Sequence, residues 1–393
     1  MRFQRILYVF FSHYPYEPRI KKMFQTFKEN GAKARLLVRS FSDNIEAESD
    51  EDFEFRALDS SGRSWQSTPL DMNPKWKKFI AQNIKEFNPD LIIVREMFLS
   101  SLVADLVKDT NIPVLMDMAE NYPAAMKSWK KYNSSALKKF IIHTLNFPFR
   151  KEKKAVGKVD GIIVVCKEQI ERLAQEYQFD KDRIVCIYNS PTKDLHPSVC
   201  DKEPNETPIF IHHGMLTSEK SLTSFFHACK ILFDKGLNFE VILPGFGDCE
   251  EDYKKLCDEL GIYHHIIFYG EYSGEELGEL LYEADYGIIP YELNDFNDYT
   301  IHNKLFEYFA LGLPVVVTPM IPTARIVEST GSGIVAKSAA PIDIAEAMEK
   351  MLIADTNDMM EASLKAHSTY NWEVEAERLM NFINKLEKRN ARS

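Results

Sequence analysis

Short apolar runs alternate with longer helix-like stretches from one end of the chain to the other, and this alternation restricts the fold to βαβ units built on parallel sheets. In the first half the runs are ILYVFF (6–11), ARLLV (34–38), LIIVRE (91–96), VLMDM (114–118), GIIVVC (161–166) and IVCIYN (184–189). Over 190–207 the pattern breaks into SPTKDLHPSVCDKEPNET, rich in Pro, Asp and Glu and without a period, which reads as a linker. The alternation then restarts with PIFIHHG (208–214), FEVILPG (239–245), HIIFYG (265–270), YGIIPY (286–291), PVVVTP (314–319) and GIVA (333–336). An α/β protein of two Rossmann-like, doubly wound domains follows: 1–190, a hinge at 191–207, 208–370, and an amphipathic last helix over 371–393. The length of 393 residues agrees with two substantial domains. Ligands of such sheets bind at the C-terminal ends of the strands, so a cleft between the domains is the expected site. Ser273–Glu276 reads SGEE, a capping box opening a helix.

The segment IHNKLFEYFALGLPVVVTP (301–319) reads as helix, tight turn and strand, with Gly312 and Pro314 as the stop. Asn303 and Glu307 fall on one helical face, and Lys304 lies three residues before Glu307. Two readings stand at this point. One is a surface salt bridge contributing a few tenths of a kcal/mol. The other is a grip for a polyol and a phosphate, in which the free N–H groups of the helix start add their positive end.

Bulk properties exclude some classes. The net charge of −11 argues against a general nucleic-acid binder. The six cysteines, Cys166, Cys186, Cys200, Cys229, Cys249 and Cys257, show no C-x-x-C pair and no zinc spacing, and read as reduced and mostly buried. The apolar run after Arg2 and Arg5 is too short for a signal peptide, and no run reaches the roughly 18 apolar residues of a membrane span. The expectation is a cytoplasmic protein, soluble or peripheral on the inner leaflet.

With these motifs in order, the chain resembles the family-four retaining glycosyltransferases of the GT-B fold. The likeness is carried by Gly214 at a strand end followed by Lys220, by LPGFGDC (243–249), by NKLFEYFALGLPVVVTP and by STYNWEVEAERL (368–379). The first half is similar to a bacterial subgroup through EPRIKKMFQTFKENGAKARLLV (17–38), MDMAENYP (116–123) and VCIYNSP (185–191). The resemblance implies two domains facing a cleft, with the last helix returning to the first domain. It also implies a donor site of Gly214, Lys220, Tyr299, Asn303, Lys304 and Glu307. In it Lys220 contacts the donor diphosphate, Lys304 lies near the phosphates and Glu307 binds the ribose hydroxyls.

Those roles suit the chemistry, because a lysine stabilises the charge growing on a leaving diphosphate and a carboxylate accepts hydrogen bonds from two hydroxyls at once. On the acceptor side the resemblance and the loops point to His13, Arg19, Asp117 and Glu120, with Glu120 and Lys220 as the candidate catalytic residues. Three positions depart from the family pattern: Met215 stands where an Arg follows the glycine, Tyr299 where a first Glu is found, and Ala119 where a His is common. The donor-sugar contact usually made by that first Glu is therefore unassigned. His212 and His213 close a strand just before Gly214, where one of them lining the cleft is a second reading beside packing, the simpler account of both.

Residues 126–158, MKSWKKYNSSALKKFIIHTLNFPFRKEKKAVGK, collect ten basic residues against one acid, Glu152, with aromatics among them. The expectation is docking on an anionic membrane surface, against the simpler reading of one solvated helix face. The reaction expected is sugar transfer from a nucleotide diphosphate sugar to a hydroxyl of a surface-glycan or lipid-linked acceptor. No cofactor and no metal enters the scheme, because Lys220 supplies the counter-charge, and uridine is the preferred base. The rivals are a nucleotide-sugar epimerase and a silent GT-B subunit supporting a partner transferase.

Overall fold

The computed structural model describes residues 2–12, 18–40, 52–59, 68–69, 71–129, 132–194 and 205–388. The chain divides into two compact units. The first comprises Met1–Lys127, Ser135–Asn189 and Glu375–Ser393, the second Ser128–Ser134 and Ser190–Val374. Each is a parallel α/β unit of the Rossmann kind.

In the first unit the strands are β1 (Arg5–Val9), β2 (Lys33–Ser40), β3 (Phe53–Asp59), β4 (Leu91–Arg95), β5 (Val114–Asp117), β6 (Gly161–Val164) and β7 (Ile184–Cys186). They form one sheet in the order β3-β2-β1-β4-β5-β6-β7. Helices connect parallel neighbours, so the central strands are covered on both faces and carry unbroken aliphatic runs: every residue of LIIVR and of VLMD is buried. The strand order reverses between β1 and β4, whose register pairs Ile6 with Leu91 and Val9 with Val94. A crevice at that reversal, at the C-terminal strand ends, is where such sheets hold ligands.

The strand Phe53–Asp59 is absent from the sequence reading. Its FEFRALD alternates apolar with charged residues at the sheet edge, so no buried run marks it. The last helix, Trp372–Lys385, runs into this unit. Its Glu375 accepts the Tyr188 N–H at 3.1 Å. Beyond its end, Arg2 and Arg183 donate to the carbonyls of Leu386 and Glu387 at 2.6 and 2.8 Å.

The second unit has β8 (Ile209–Ile211), β9 (Glu240–Pro244), β10 (Ile266–Gly270), β11 (Tyr286–Ile289), β12 (Val315–Val317) and β13 (Gly333–Val335), in the order β10-β9-β8-β11-β12-β13. Here the order reverses between β8 and β11. The SGEE capping box forms, with Ser273 and Glu276 bonded reciprocally at the start of Gly274–Glu283. The five described cysteines are free and buried. Among the described residues no helix is long and apolar enough to cross a membrane.

Candidate active site

The switch point of the second sheet is built from the ends of β8 and β11 and from the helix Lys304–Ala310. That helix docks through Tyr308, whose hydroxyl donates to the Ile211 carbonyl at 2.9 Å. Gly287 in β11 leaves room for the ring: a Cβ there would lie 2.4 Å from the Tyr308 side chain. The loop after β8 lies against the loop after β9, with the Gly214 N–H donating to the Pro244 carbonyl at 2.8 Å. Gly245 (φ 142°) is required at that approach, since a Cβ would sit 1.9 Å from the Gly214 oxygen.

Lys304 is buried, which rules out the surface salt bridge. Its Nζ meets the Tyr291 hydroxyl at 2.5 Å and His212 Nε2 at 3.1 Å. His212 Nδ1 lies 2.9 Å from the Ile288 carbonyl. A carbonyl only accepts, so Nδ1 holds the proton and Nε2 offers its lone pair to the lysine. Burial, then the Lys220 charge, holds the Lys304 ammonium well below its ordinary pKa, with Glu307 acting in the opposite sense. Glu307 is half-buried, and its Oε2 lies 3.1 Å from His213 Nε2. Burial lowers the His213 pKa against the pull of Glu307. The Tyr272 hydroxyl lies 3.4 Å from His213 Nδ1. The lysine and the glutamate thus each have a histidine neighbour, and both histidines, for which packing was the simpler reading from sequence, belong to the site.

The rest of the expected donor set lies on this unit. Asn303 is exposed at the start of the helix, one turn from Glu307. Its backbone is already helical (φ −53°, ψ −34°), and its side chain caps nothing. With seven residues, the helix is too short for its N-terminus to carry an anion site by itself. Lys220 closes a short 3-10 turn, Ser218–Lys220, and is half-buried, as is Tyr299 in the turn Asn297–Tyr299. Met215 is exposed beside Gly214.

On the first unit, two of the expected acceptor-side residues are engaged with each other and closed to solvent. Asp117 is 0 % exposed and Arg19 is 1 % exposed. Arg19 donates to Asp117 at 3.0 Å and to the Ile187 carbonyl at 2.9 Å. Arg95 and the Tyr8 hydroxyl each reach Asp117 at 2.7 Å. Burial opposes the Asp117 charge, but Arg19 and Arg95 overcome it and hold the carboxyl well below the usual range. Arg19 and Asp117 therefore anchor the strand ends and do not face a ligand, a correction to the sequence reading. Glu120 is half-buried on the loop after β5. His13 lies outside the described residues.

Glu96, to which the sequence reading gave no role, follows β4 at the switch point. It is buried in a backbone conformation (φ 64°, ψ 172°) adopted almost only by glycine. Its N–H is fixed to the Asp117 carbonyl at 2.9 Å, and its Oε1 accepts the Ala119 N–H at 3.0 Å. Burial raises its pKa well above that of an ordinary glutamate, Arg95 opposes this, and Glu120 adds to it.

The basic stretch is less charged than its sequence implies. Lys151 and Lys154 pair with Asp71 at 2.5 and 2.9 Å, and Lys158 pairs with Asp105 at 2.5 Å. Glu152 is buried on Arg172. Lys130 and Lys131 lie outside the described residues.

The two parallel sheets and the site at the second switch point define a two-unit α/β protein with the GT-B fold. Residues 207–354 match the family described as Glycosyl transferases group 1. An uncharacterized glycosyltransferase of Methanocaldococcus jannaschii is 25% identical over 202 residues, covering 49% of this chain and 50% of that protein. The chain spans about half the length of the curated relatives it matches. Sucrose-phosphate synthase from Thermosynechococcus elongatus superposes with a TM-score of 0.76 at 14% identity, covering 97% of this chain and 98% of that one. Anabaena HepE in complex with UDP-glucose superposes at 0.70, also at 14% identity, over 97% and 100% of the two chains. Likeness at these identities establishes the fold.

Proposed function

We propose that the protein is a retaining, metal-independent glycosyltransferase that moves a sugar from a nucleoside diphosphate sugar to an acceptor hydroxyl. The observation that carries this reading is the buried Lys304 at the switch point of the second sheet, under the electrostatic influence of Lys220, with Glu307 beside His213 one turn along. Two lysines suit a diphosphate. A half-buried carboxylate with a histidine at one oxygen suits the paired hydroxyls of a ribose. The match over 207–354, which covers this site, supports the reading. A uridine donor is supported by the likeness in fold to HepE, which was solved in complex with UDP-glucose.

In the reaction the bond from the anomeric carbon to the diphosphate oxygen breaks, a bond to the acceptor oxygen forms, and the acceptor proton passes to the departing phosphate. Lys220 stabilises the charge left on that phosphate. Glu120 serves the acceptor side. Glu307→Ala or Lys220→Ala loses most turnover with the fold intact; near-normal activity in both removes the assignment.

The acceptor is a surface-glycan or lipid-linked one, presented at an anionic membrane. The support is local: Leu137, Phe140 and Leu145 are 69%, 49% and 41% exposed, with the exposed Lys138 and Lys139 among them. Apolar side chains beside lysines suit the interface of an anionic bilayer. Phosphatidylserine vesicles sediment the protein at low salt and lose it when Leu137 and Phe140 become Glu; equal sedimentation of both forms refutes docking here.

A further inference from the structure

The connection from β11 to the helix Lys304–Ala310 carries two buried polar side chains that the site above leaves unused. His302 is 5 % exposed, and its Nε2 is buried with no hydrogen-bonding partner among the described residues. Two residues earlier Thr300 Oγ1 is in the same condition. An unpaired buried nitrogen lowers stability unless a ligand completes it, so an orphan of this kind calls for an explanation.

The ring is held in place. It stands edge-on to Tyr291, with centroids 4.5 Å apart at 75°, and the His302 carbonyl accepts the Leu305 N–H at 3.1 Å. Tyr291 is also the residue that meets Lys304 Nζ, so His302 and Lys304 share one support. Burial, and then the charges of Lys220 and Lys304, hold the ring's pKa well below the ordinary histidine value and keep it neutral. A neutral imidazole beside two lysines presents an N–H to an anion without adding a third charge that must be desolvated.

We propose that His302 is a third ligand of the donor diphosphate, its Nε2–H donating to a phosphate oxygen beside Lys220 and Lys304. This rests on the donor-site reading above and adds to it a residue that recognises phosphate and is indifferent to the base. The tautomer is the one with the proton on Nε2. Glutamine is the closest replacement that keeps a donor, and phenylalanine keeps the ring without one.

The test is titration calorimetry of the full chain with UDP, with GDP in parallel, and a thermal-shift measurement with uridine as the phosphate-free probe. His302→Phe weakens UDP about 10- to 100-fold, the effect of one hydrogen bond to a charged group. It leaves the uridine response unchanged, and His302→Gln retains more UDP affinity than His302→Phe. His302→Leu takes the place of the phenylalanine variant if that one does not fold. Equal UDP affinity in wild type and variant overturns the inference. So does an equal loss for UDP and uridine, which is the mark of a structural role. If wild-type protein binds UDP and GDP not at all, the donor-site reading itself fails and this inference falls with it.

Discussion

Asp117→Asn removes the carboxylate that Arg19, Arg95 and Tyr8 share in the first unit. Asn keeps the volume and one acceptor oxygen, but it removes the shared negative charge from two guanidinium groups that are 1% and 5% exposed. Breaking a buried pair by removing one partner costs about 3–5 kcal/mol, because the charge left behind is uncompensated. For a unit of roughly 200 residues this corresponds to a fall of about 6–20 °C in unfolding midpoint. The assay is urea denaturation followed by a probe on the first unit, with a second variant, Asp117→Asn/Arg19→Met, that removes one stranded cation. The double variant recovers part of the loss, which makes the two substitutions non-additive. The pH dependence follows from the depressed Asp117 pKa: its stabilisation is complete above the ordinary aspartate value of about 3.9 and is lost as pH falls below it. The Asn variant lacks that acid-side component. A loss under about 1 kcal/mol, with the acid limb unchanged, refutes the network as the anchor of these strand ends.

Gly245→Ala forces a Cβ against the Gly214 oxygen at φ 142° and costs about 1–3 kcal/mol in the second unit, together with nucleotide affinity, as read by calorimetry. Glu96→Gln keeps the acceptor for the Ala119 N–H and removes a carboxyl whose pKa is raised in the folded state. Such an acid loses stability as pH rises through the window above its ordinary value, so the variant is more stable than wild type at about pH 8 and flatter with pH in thermal melts. Binding of UDP takes up protons. The ammonium of Lys304 is depressed in the empty site and an arriving diphosphate raises it, so affinity strengthens as pH falls. Calorimetry in buffers of different ionisation enthalpy reads this directly, and Lys304→Met abolishes it.

Much of this fold is legible in the sequence because central parallel strands carry unbroken aliphatic runs, from LIIV to VVV, that stand out against the helices between them. FEFRALD escaped because this edge strand interleaves charged residues with its apolar ones. In the second unit NKLFE placed Lys304 and Glu307 on one helix, as found. Their partners His212, His213 and Tyr291 follow β8 and β11; the place of the two histidines before Gly214 was visible, but only the fold shows that they meet Lys304 and Glu307. Arg19 and Asp117 are far apart in sequence and look like ligands by residue type; only packing shows that they satisfy each other. Glu96 was illegible for a different reason, since a positive φ at a non-glycine residue leaves no trace in residue type. The same limit applied to 126–158, where Asp71 and Asp105 arrive from other segments to neutralise lysines counted as free charge.

The most direct test of the donor site is a thermal-shift panel of UDP, GDP and ADP on the full chain, with and without Mg²⁺, beside Glu307→Ala. The account predicts a base-selective, metal-independent stabilisation, about 2.7 kcal/mol at 100 times the dissociation constant, that Glu307→Ala loses. No stabilisation by any of the three nucleotides, or an undiminished one in Glu307→Ala, would contradict it.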